Sequence, residues 1–123
     1  MESRALISVV DDDQSVRDSL LLLLRDSGFT GHAFSSGMEF LASSDLQESR
    51  CLILDMAMPG MTGLDLQQEL VRRRSRIPVV FITASRDDSV RQQVLKRGAV
   101  DCLFKPFSET ALLNAVNAAL GQG

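Results

Sequence analysis

Short apolar runs alternate along this chain with longer stretches in which apolar residues recur every three or four positions. Five of the runs have the length and the aliphatic content that predict buried strands. These runs are Ala5 to Val10, Thr30 to Phe34, Cys51 to Leu54, Val79 to Ile82 and Val100 to Phe104. A strand that is covered on both faces shows no alternation of polar and apolar residues, so the runs indicate a parallel sheet.

After each predicted strand comes a stretch with helical periodicity. Gly28 and Gly98 end the first and fourth of these stretches, and Ser108 is placed to cap the last. The predicted helices contain Val16 to Leu24, Ser36 to Ala42, Leu64 to Arg73, Val90 to Leu95 and Leu112 to Leu120. Strict alternation of strands and helices predicts an α/β domain with right-handed crossovers and helices on both faces of the sheet.

Composition adds the expectation of one globular domain over residues 1–123, because 45% of the residues are hydrophobic and 24% are charged. The net charge of -3 gives no overall attraction to nucleic acid or to an anionic membrane. No apolar run approaches the roughly 18 residues that span a bilayer, and Met1 to Arg4 does not begin a signal peptide. Cys51 and Cys102 are too few for a disulfide scaffold, so we expect a reduced, cytoplasmic protein.

Polar side chains stand where four of the predicted strands end. Asp11 and Asp12 follow the first strand, Asp55 the third, Thr83 the fourth and Lys105 the fifth. Because the carboxyl ends of parallel strands meet at one edge of the sheet, we expect these side chains to converge on one crevice. Carboxylates in such a crevice repel one another unless a cation lies among them, and their oxygens suit Mg²⁺. The remaining ammonium and hydroxyl suit a phosphoryl group.

Charged runs also have simpler explanations. One aspartate of Asp11 to Asp13 could cap the following helix, but a cap requires only one carboxylate. We assign that role to Asp13, since Asp55 and Lys105 at matching strand ends favour a site for the others. The run from Arg72 to Arg76 has two explanations. We favour a role as cations that complement a helix C-terminus over a contact with nucleic acid.

Four motifs occur in order over the whole chain, and they are Val9-Val10-Asp11-Asp12-Asp13, Leu54-Asp55-Met56-Ala57-Met58-Pro59-Gly60, Ile82-Thr83-Ala84 and Lys105-Pro106-Phe107. Together these motifs resemble those of response-regulator receiver domains. The resemblance implies the flavodoxin-like (βα)₅ fold of the chemotaxis protein CheY, with strand order 2-1-3-4-5. A further run, Gly98 to Asp101, resembles receivers of the FixJ type, which usually precede a helix-turn-helix DNA-binding domain. We therefore expect an effector domain to follow in a longer parent chain.

The resemblance implies a role for each site residue. Asp55 would accept a phosphoryl group from a sensor histidine kinase or a small phosphodonor. Mg²⁺, with Mn²⁺ as an alternative ion, would be held by Asp55, by Asp12 directly, by Asp11 through water and by the main-chain carbonyl of Ala57. Thr83 would donate to the phosphoryl group and Lys105 would neutralise its charge. Such a domain catalyses its own phosphorylation and dephosphorylation and is not a turnover enzyme.

The resemblance also implies an output, a switch in conformation that controls transcription. Receivers of this kind commonly dimerise on phosphorylation through helix four, strand five and helix five, here parts of Ser85 to Arg97, Val100 to Phe104 and Ser108 to Leu120. Contact with nucleic acid would then occur only through the effector domain, and contact with a membrane is not expected. Cys102 departs from the family, because receivers commonly place there a Tyr or Phe ring that changes rotamer. We expect coupling to run instead through the loop after strand four and through repacking of helix four, with Cys102 as a reduced, buried filler.

Three alternatives stay open at this point. A phosphatase of the haloacid-dehalogenase type also attacks phosphate with a strand-end aspartate, but it needs a second aspartate where this chain has Ala57. A flavodoxin would need Ser, Thr and Gly amides around a flavin phosphate, whereas the turn from Asp11 to Ser15 is acidic. A degenerate receiver that only docks is the third, and the intact acceptor, metal pair, hydroxyl and lysine argue against it.

Overall fold

The computed structural model describes residues 4–121, and five strands and six helices lie within that range. Most of Met1 to Arg4, on which the expectation of no signal peptide depends, lies outside the described residues. No helix in residues 4–121 has the length and apolarity needed to cross a lipid bilayer. The strands are β1 (Leu6–Val10), β2 (Thr30–Phe34), β3 (Cys51–Asp55), β4 (Val79–Thr83) and β5 (Asp101–Phe104). The helices are α1 (Gln14–Asp26), α2 (Gly37–Leu41), α3 (Asp45–Glu48), α4 (Gly63–Arg72), α5 (Asp88–Lys96) and α6 (Glu109–Gly121).

All five strands are parallel and lie in the order β2-β1-β3-β4-β5, which confirms the predicted fold. The chain starts in the middle of the sheet, adds β2 on one side and then returns to build the other side from β3. The order therefore reverses between β1 and β3, which is where open α/β sheets bind ligands. The register pairs Val10 with Leu54, so the residues that follow them, Asp11 and Asp55, lie side by side at the carboxyl ends of β1 and β3.

Each face of the sheet has its own apolar core, because alternate residues of a strand point to opposite faces. In β3, Cys51 and Ile53 pack with α1 and α6, whereas Leu52 and Leu54 pack with α2, α4 and α5. Every residue of β3 and β4 is buried, as the uninterrupted apolar runs predicted. The two cores hold the central strands rigid, and with them the strand ends at which the polar residues stand.

The connection between β2 and β3 differs from the prediction. One helix was expected over Ser36 to Ala42, but the chain forms α2 there and then a second helix, α3. Four residues are too few to show a helical period, so α3 has no signal in the sequence. A tertiary contact accounts for its position, since Nδ1 of His32 on β2 lies 2.6 Å from Oδ2 of Asp45, the first residue of α3.

The ends of the long helices agree with the caps read from the sequence. Oδ1 of Asp13 accepts a 2.9 Å hydrogen bond from the Ser15 amide at the start of α1. The Ala111 amide donates to Oγ of Ser108 over 3.0 Å at the start of α6. Gly28 and Gly98 follow α1 and α5 with φ of 90° and 100°, a backbone conformation that glycine adopts without steric cost. These predicted helix ends are confirmed.

Candidate functional site

Three carboxylates meet at the carboxyl edge of the sheet. Asp11 and Asp12 come directly after β1, and Asp55 is the last residue of β3. One oxygen of each lies within 4.8 Å of the other two. Asp11 is fully buried and Asp55 is 5% exposed, whereas Asp12 is exposed. The cluster is therefore embedded in the protein on one side and open to solvent on the side of Asp12.

Lys105 joins this cluster from the opposite side. Its Nζ donates to Oδ2 of Asp11 over 3.1 Å and to Oδ1 of Asp55 over 3.4 Å. The Lys105 amide also donates to the Thr83 carbonyl over 2.7 Å, which holds the backbone of lysine beside the end of β4. Burial lowers the pKa of Lys105, but the hydrogen bond to Asp11 and the charge of Asp55 outweigh it, so the pKa lies above its usual value. Lys105 is therefore a fixed positive charge next to two carboxylates.

The electrostatics of Asp55 indicate which kind of ligand suits the cluster. Burial raises the pKa of Asp55, and the negative charge of Asp11 raises it further, while Lys105 acts in the opposite direction. The net pKa is raised, because one ammonium does not compensate for burial and two neighbouring carboxylates. A divalent cation with hard oxygen ligands and open water positions fits this donor set. Ala57, the other expected ligand, lies two residues beyond Asp55 in an exposed loop.

Asp11 is held in place by contacts that the sequence did not indicate. The amide of Asp13 donates to Oδ1 of Asp11 over 2.9 Å. Nη1 of Arg17, in the first turns of α1, donates to the main-chain carbonyl of Asp11 over 2.6 Å. The only sequence signal for Arg17 is its position one helical turn after Asp13, and that spacing does not show which carbonyl it reaches. Arg17 therefore orients the strand end without touching the carboxylate.

Thr83, the last residue of β4, lies next to β3, which ends at Asp55. Ile82 pairs with Asp55 in the β3–β4 register, so Thr83 stands one position beyond that pair. Its side chain is buried, and Oγ1 accepts a hydrogen bond from the Ser85 amide over 3.1 Å. Because the oxygen accepts in this contact, the hydroxyl proton is available to a new acceptor. The Ser85 contact also couples the threonine to the loop that leads into α5.

A groove of about 480 Å³ opens beside Lys105, between α1 and the segment that follows β5. Its apolar wall is formed by Val16, Leu20 and Leu23 on the α1 side and by Phe107 on the other. Lys105 is one of the residues that line it. The groove thus connects the acidic cluster with an accessible apolar surface, which is the kind of surface that binds a partner protein.

Residues 7–117 match the family model described as response regulator receiver domain. The chain is 44% identical to nodulation protein W of Bradyrhizobium diazoefficiens over 95% of this chain and 52% of that protein. It is 41% identical to the response regulator protein TodT of Pseudomonas putida over 98% of this chain and 53% of TodT. It thus spans about half the length of these relatives.

Solved structures show the same similarity. The response regulator StyR superimposes with a TM-score of 0.90 at 42% identity, covering 98% of this chain and 61% of StyR. The structure called FixJ-N superimposes with a TM-score of 0.88 at 31% identity, covering 99% of this chain and 98% of that one. The similarity to FixJ-N therefore extends over nearly all of both chains.

Proposed function

The chain belongs to the family of response regulator receiver domains, and we propose that Asp55 is the residue that accepts its phosphoryl group. The family consists of two-component signalling proteins, which are not turnover enzymes, and includes transcriptional regulators such as FixJ. The observation that carries the proposal is the Lys105 ammonium, which contacts Asp55 and Asp11 at once. A structural salt bridge needs one carboxylate, whereas this lysine stands among three that repel one another.

Asp55 performs the chemical step as a nucleophile. One carboxylate oxygen attacks the phosphorus of a phosphohistidine on the sensor kinase, or of a small phosphodonor such as acetyl phosphate. The new bond joins that oxygen to phosphorus, and the bond from phosphorus to the histidine nitrogen or to the acetate oxygen breaks, with its electron pair leaving on the donor. Hydrolysis of the resulting aspartyl phosphate returns the carboxylate and releases inorganic phosphate.

The other residues of the site neutralise and orient charge. A loose phosphoryl-transfer transition state needs charge neutralisation and alignment more than proton transfer. Lys105 supplies a fixed ammonium, and Thr83 turns its free hydroxyl proton toward a phosphoryl oxygen. Ala84, next to Thr83, is small and exposed, which leaves room for the group.

Asp11, Asp12 and Asp55, together with the main-chain carbonyl of Ala57, would hold a divalent ion, Mg²⁺ or Mn²⁺. When bound, the ion supplies charge neutralisation for the carboxylates and for the phosphoryl oxygens. The contact between Arg17 and the Asp11 carbonyl keeps the backbone of this ligand set in place. Asp12 is the one exposed carboxylate of the three, and its removal would leave the acceptor and the lysine in position.

The sensor histidine kinase would dock on the groove beside Lys105. The groove offers apolar side chains, Val16, Leu20 and Phe107 among them, next to the lysine that touches Asp55. A helix that presents a phosphohistidine and packs on this wall brings its phosphoryl group toward the acceptor.

Both cysteines are buried and free. Free thiols are consistent with a protein that acts in the reducing cytoplasm, where histidine kinases present their phosphorylated domains.

The output would be phosphorylation-dependent dimerisation through α5, β5 and α6. Strand β5 is at the edge of the sheet. Nη2 of Arg91 on α5 lies 3.3 Å from Oδ1 of Asp101 on β5, and both side chains are about one-third exposed. In the dimer, Arg91 of one protomer would pair with Asp101 of the other, and the reverse, across a two-fold axis. An effector domain in a longer parent chain would then act on transcription.

The phosphoacceptor is tested by incubating the protein with acetyl phosphate and Mg²⁺ and measuring intact mass. The wild type should gain one phosphoryl group, and Asp55→Asn should gain none. Equal labelling of the variant would overturn the assignment of Asp55. Continuous release of phosphate from a phosphate ester at a rate that far exceeds single labelling would instead support a dehalogenase-type phosphatase.

A further inference from the structure

The end of the sheet opposite Asp55 concentrates positive charge. Arginines reach it from three separate connections between helices and strands. Glu69 binds Arg73, with Nε of the arginine 2.7 Å from Oε2. Within residues 4–121, no carboxylate pairs with Arg76 or Arg97. One cation per helix end satisfies a helix dipole, so this end of the molecule carries an excess. The arginines of these three connections are Arg50, Arg73, Arg74, Arg76 and Arg97, and Arg25, in the last turn of α1, lies at the same end of the sheet.

Two hollows flank the segment from Ser75 to Pro78, which forms a ridge between them. The first hollow, of about 600 Å³, has Arg50 and Arg73 on its wall. The second, of about 180 Å³, has Arg97 on its wall. Arg76 lines both. The ridge and its two hollows therefore form one continuous surface with guanidinium groups on either side.

Between the guanidinium groups this surface is apolar. Ile77 and Pro78 line both hollows, and Val71, which is 65% exposed, stands at the edge of the second. Gln67 also lines the second hollow and is only 5% exposed, yet its side-chain oxygen has no hydrogen-bond partner within residues 4–121. A buried amide oxygen without a donor costs about 1–3 kcal/mol. The oxygen is itself buried, so a ligand reaches it only if the Gln67 side chain turns toward the second hollow.

We propose that this surface, the ridge from Ser75 to Pro78 with its two hollows, is a docking site for an extended acidic segment of another protein. Carboxylates of the segment pair with Arg76 and Arg97, since the planar guanidinium fork matches a carboxylate. Apolar side chains of the same segment cover Val71 and Ile77. The Gln67 side chain turns toward the bound segment, and its oxygen then accepts an N–H of that segment. The site lies at the opposite end of the sheet from the phosphoacceptor, so both can be occupied together.

The chemistry of the surface favours an acidic peptide over nucleic acid. None of the described residues that line the two hollows is aromatic, so bases find no stacking partner among them. The apolar ridge has no complement in a phosphodiester chain.

The proposal is tested by fluorescence anisotropy with a short fluorescein-labelled peptide of alternating glutamate and leucine, at low salt, on the full chain. Arg76→Glu should weaken binding about tenfold or more, because a charge pair becomes a repulsion. Arg25→Glu, at the exposed end of α1, changes net charge by the same amount and should bind within about twofold of wild type. Gln67→Met removes the orphan acceptor without a change in charge and should weaken binding about two- to tenfold.

Three results would overturn the proposal. Equal weakening by Arg76→Glu and Arg25→Glu would show that only the overall charge matters. Wild-type affinity in Gln67→Met would remove the second hollow from the site. An oligothymidine that binds more tightly than the acidic peptide and displaces it would assign the surface to nucleic acid. Urea unfolding of each variant distinguishes lost binding from lost folding, and Asp55 labelling by acetyl phosphate provides an independent check of the native state.

Discussion

Gly63, the first residue of α4, lies directly against the backbone of Asp55. Its amide donates to the Met56 carbonyl over 3.0 Å. A Cβ at Gly63 would overlap the Asp55 carbonyl oxygen and approach the Met56 Cα to 3.0 Å and a Phe81 ring carbon to 3.1 Å. The start of α4 is thus packed on the strand end that carries the candidate phosphoacceptor, and only glycine fits there.

Gly63→Ala should therefore destabilise the protein and disturb Asp55. The neighbouring atoms are mostly backbone and cannot rotate away, so overpacking should cost about 1–3 kcal/mol. Urea unfolding should show a lower midpoint, and the rate of labelling by acetyl phosphate should fall. Gly121→Ala, where a Cβ meets no atom within 4 Å, is the matched control and should unfold like the wild type. Equal midpoints for the two variants would refute the packing argument.

Mg²⁺ alone should raise thermal stability, because it binds the folded cluster and not the unfolded chain. A concentration of about one hundred times Kd adds about 2.7 kcal/mol. Asp12→Ala should abolish most of that gain. The same variant should be at least as stable as wild type without Mg²⁺, since one of three mutually repelling carboxylates is removed. Asp18→Ala, an exposed carboxylate on α1, is the control, and an equal loss of response in both variants would place the ion elsewhere.

Thr83→Ala should separate phosphorylation from assembly. The acceptor stays intact, but the hydroxyl that connects the site to the Ser85 amide is lost. Sedimentation after beryllium fluoride treatment should show a dimer for wild type and a monomer for this variant, which still gains a phosphoryl group from acetyl phosphate. Cys102→Ser should dimerise like wild type, because α5 reaches Cys102 through its carbonyl, to which Nε of Arg91 donates over 3.3 Å.

Loss of dimerisation in Cys102→Ser without a loss of stability would instead make the thiol part of the relay. A wild type that stays monomeric at high concentration would refute the proposed dimer itself.

Both thiols should be unreactive in the folded protein. Burial raises the pKa of Cys51 to about 12, and burial also raises the pKa of Cys102. The thiolate is the reactive form, so iodoacetamide at neutral pH should leave the native mass unchanged and should add two groups in denaturant. Cys51→Ala identifies the site if one group is added to the native protein. Rapid native labelling of either cysteine would show that its strand opens to solvent.

Glu69 should titrate far below an ordinary glutamate. Its hydrogen bonds with Arg72 and Arg73 lower its pKa from 4.5 to about 2. A depressed pKa in the folded state means that the carboxylate contributes stability above pH 4.5, and that this contribution is lost as the pH falls toward 2. Carboxyl NMR should give the low midpoint directly, and added salt should raise it by screening. A midpoint near 4.5 would show that the pairs do not persist in solution.

The local sequence pattern was sufficient to predict the strands and most helix ends. Uninterrupted apolar runs occur where both faces of a strand are covered, and caps such as Asp13 and Ser108 act on amides within three residues of themselves. The convergence of Asp11, Asp55 and Lys105 could also be anticipated, because parallel strands end at one edge. Their roles came from the resemblance to a family, since no local rule distinguishes an acceptor aspartate from a ligand.

Contacts between residues far apart in the sequence were decided only by tertiary structure. Helix α3 has four residues and no period of its own, and its position depends on the contact between Asp45 and His32. The donation from Arg17 to the Asp11 carbonyl and the contact of Gly63 with Asp55 likewise depend on how helices pack on the sheet. Short-range periodicity and capping determine the strands and the long helices, whereas close packing of side chains from separate elements sets which atoms meet.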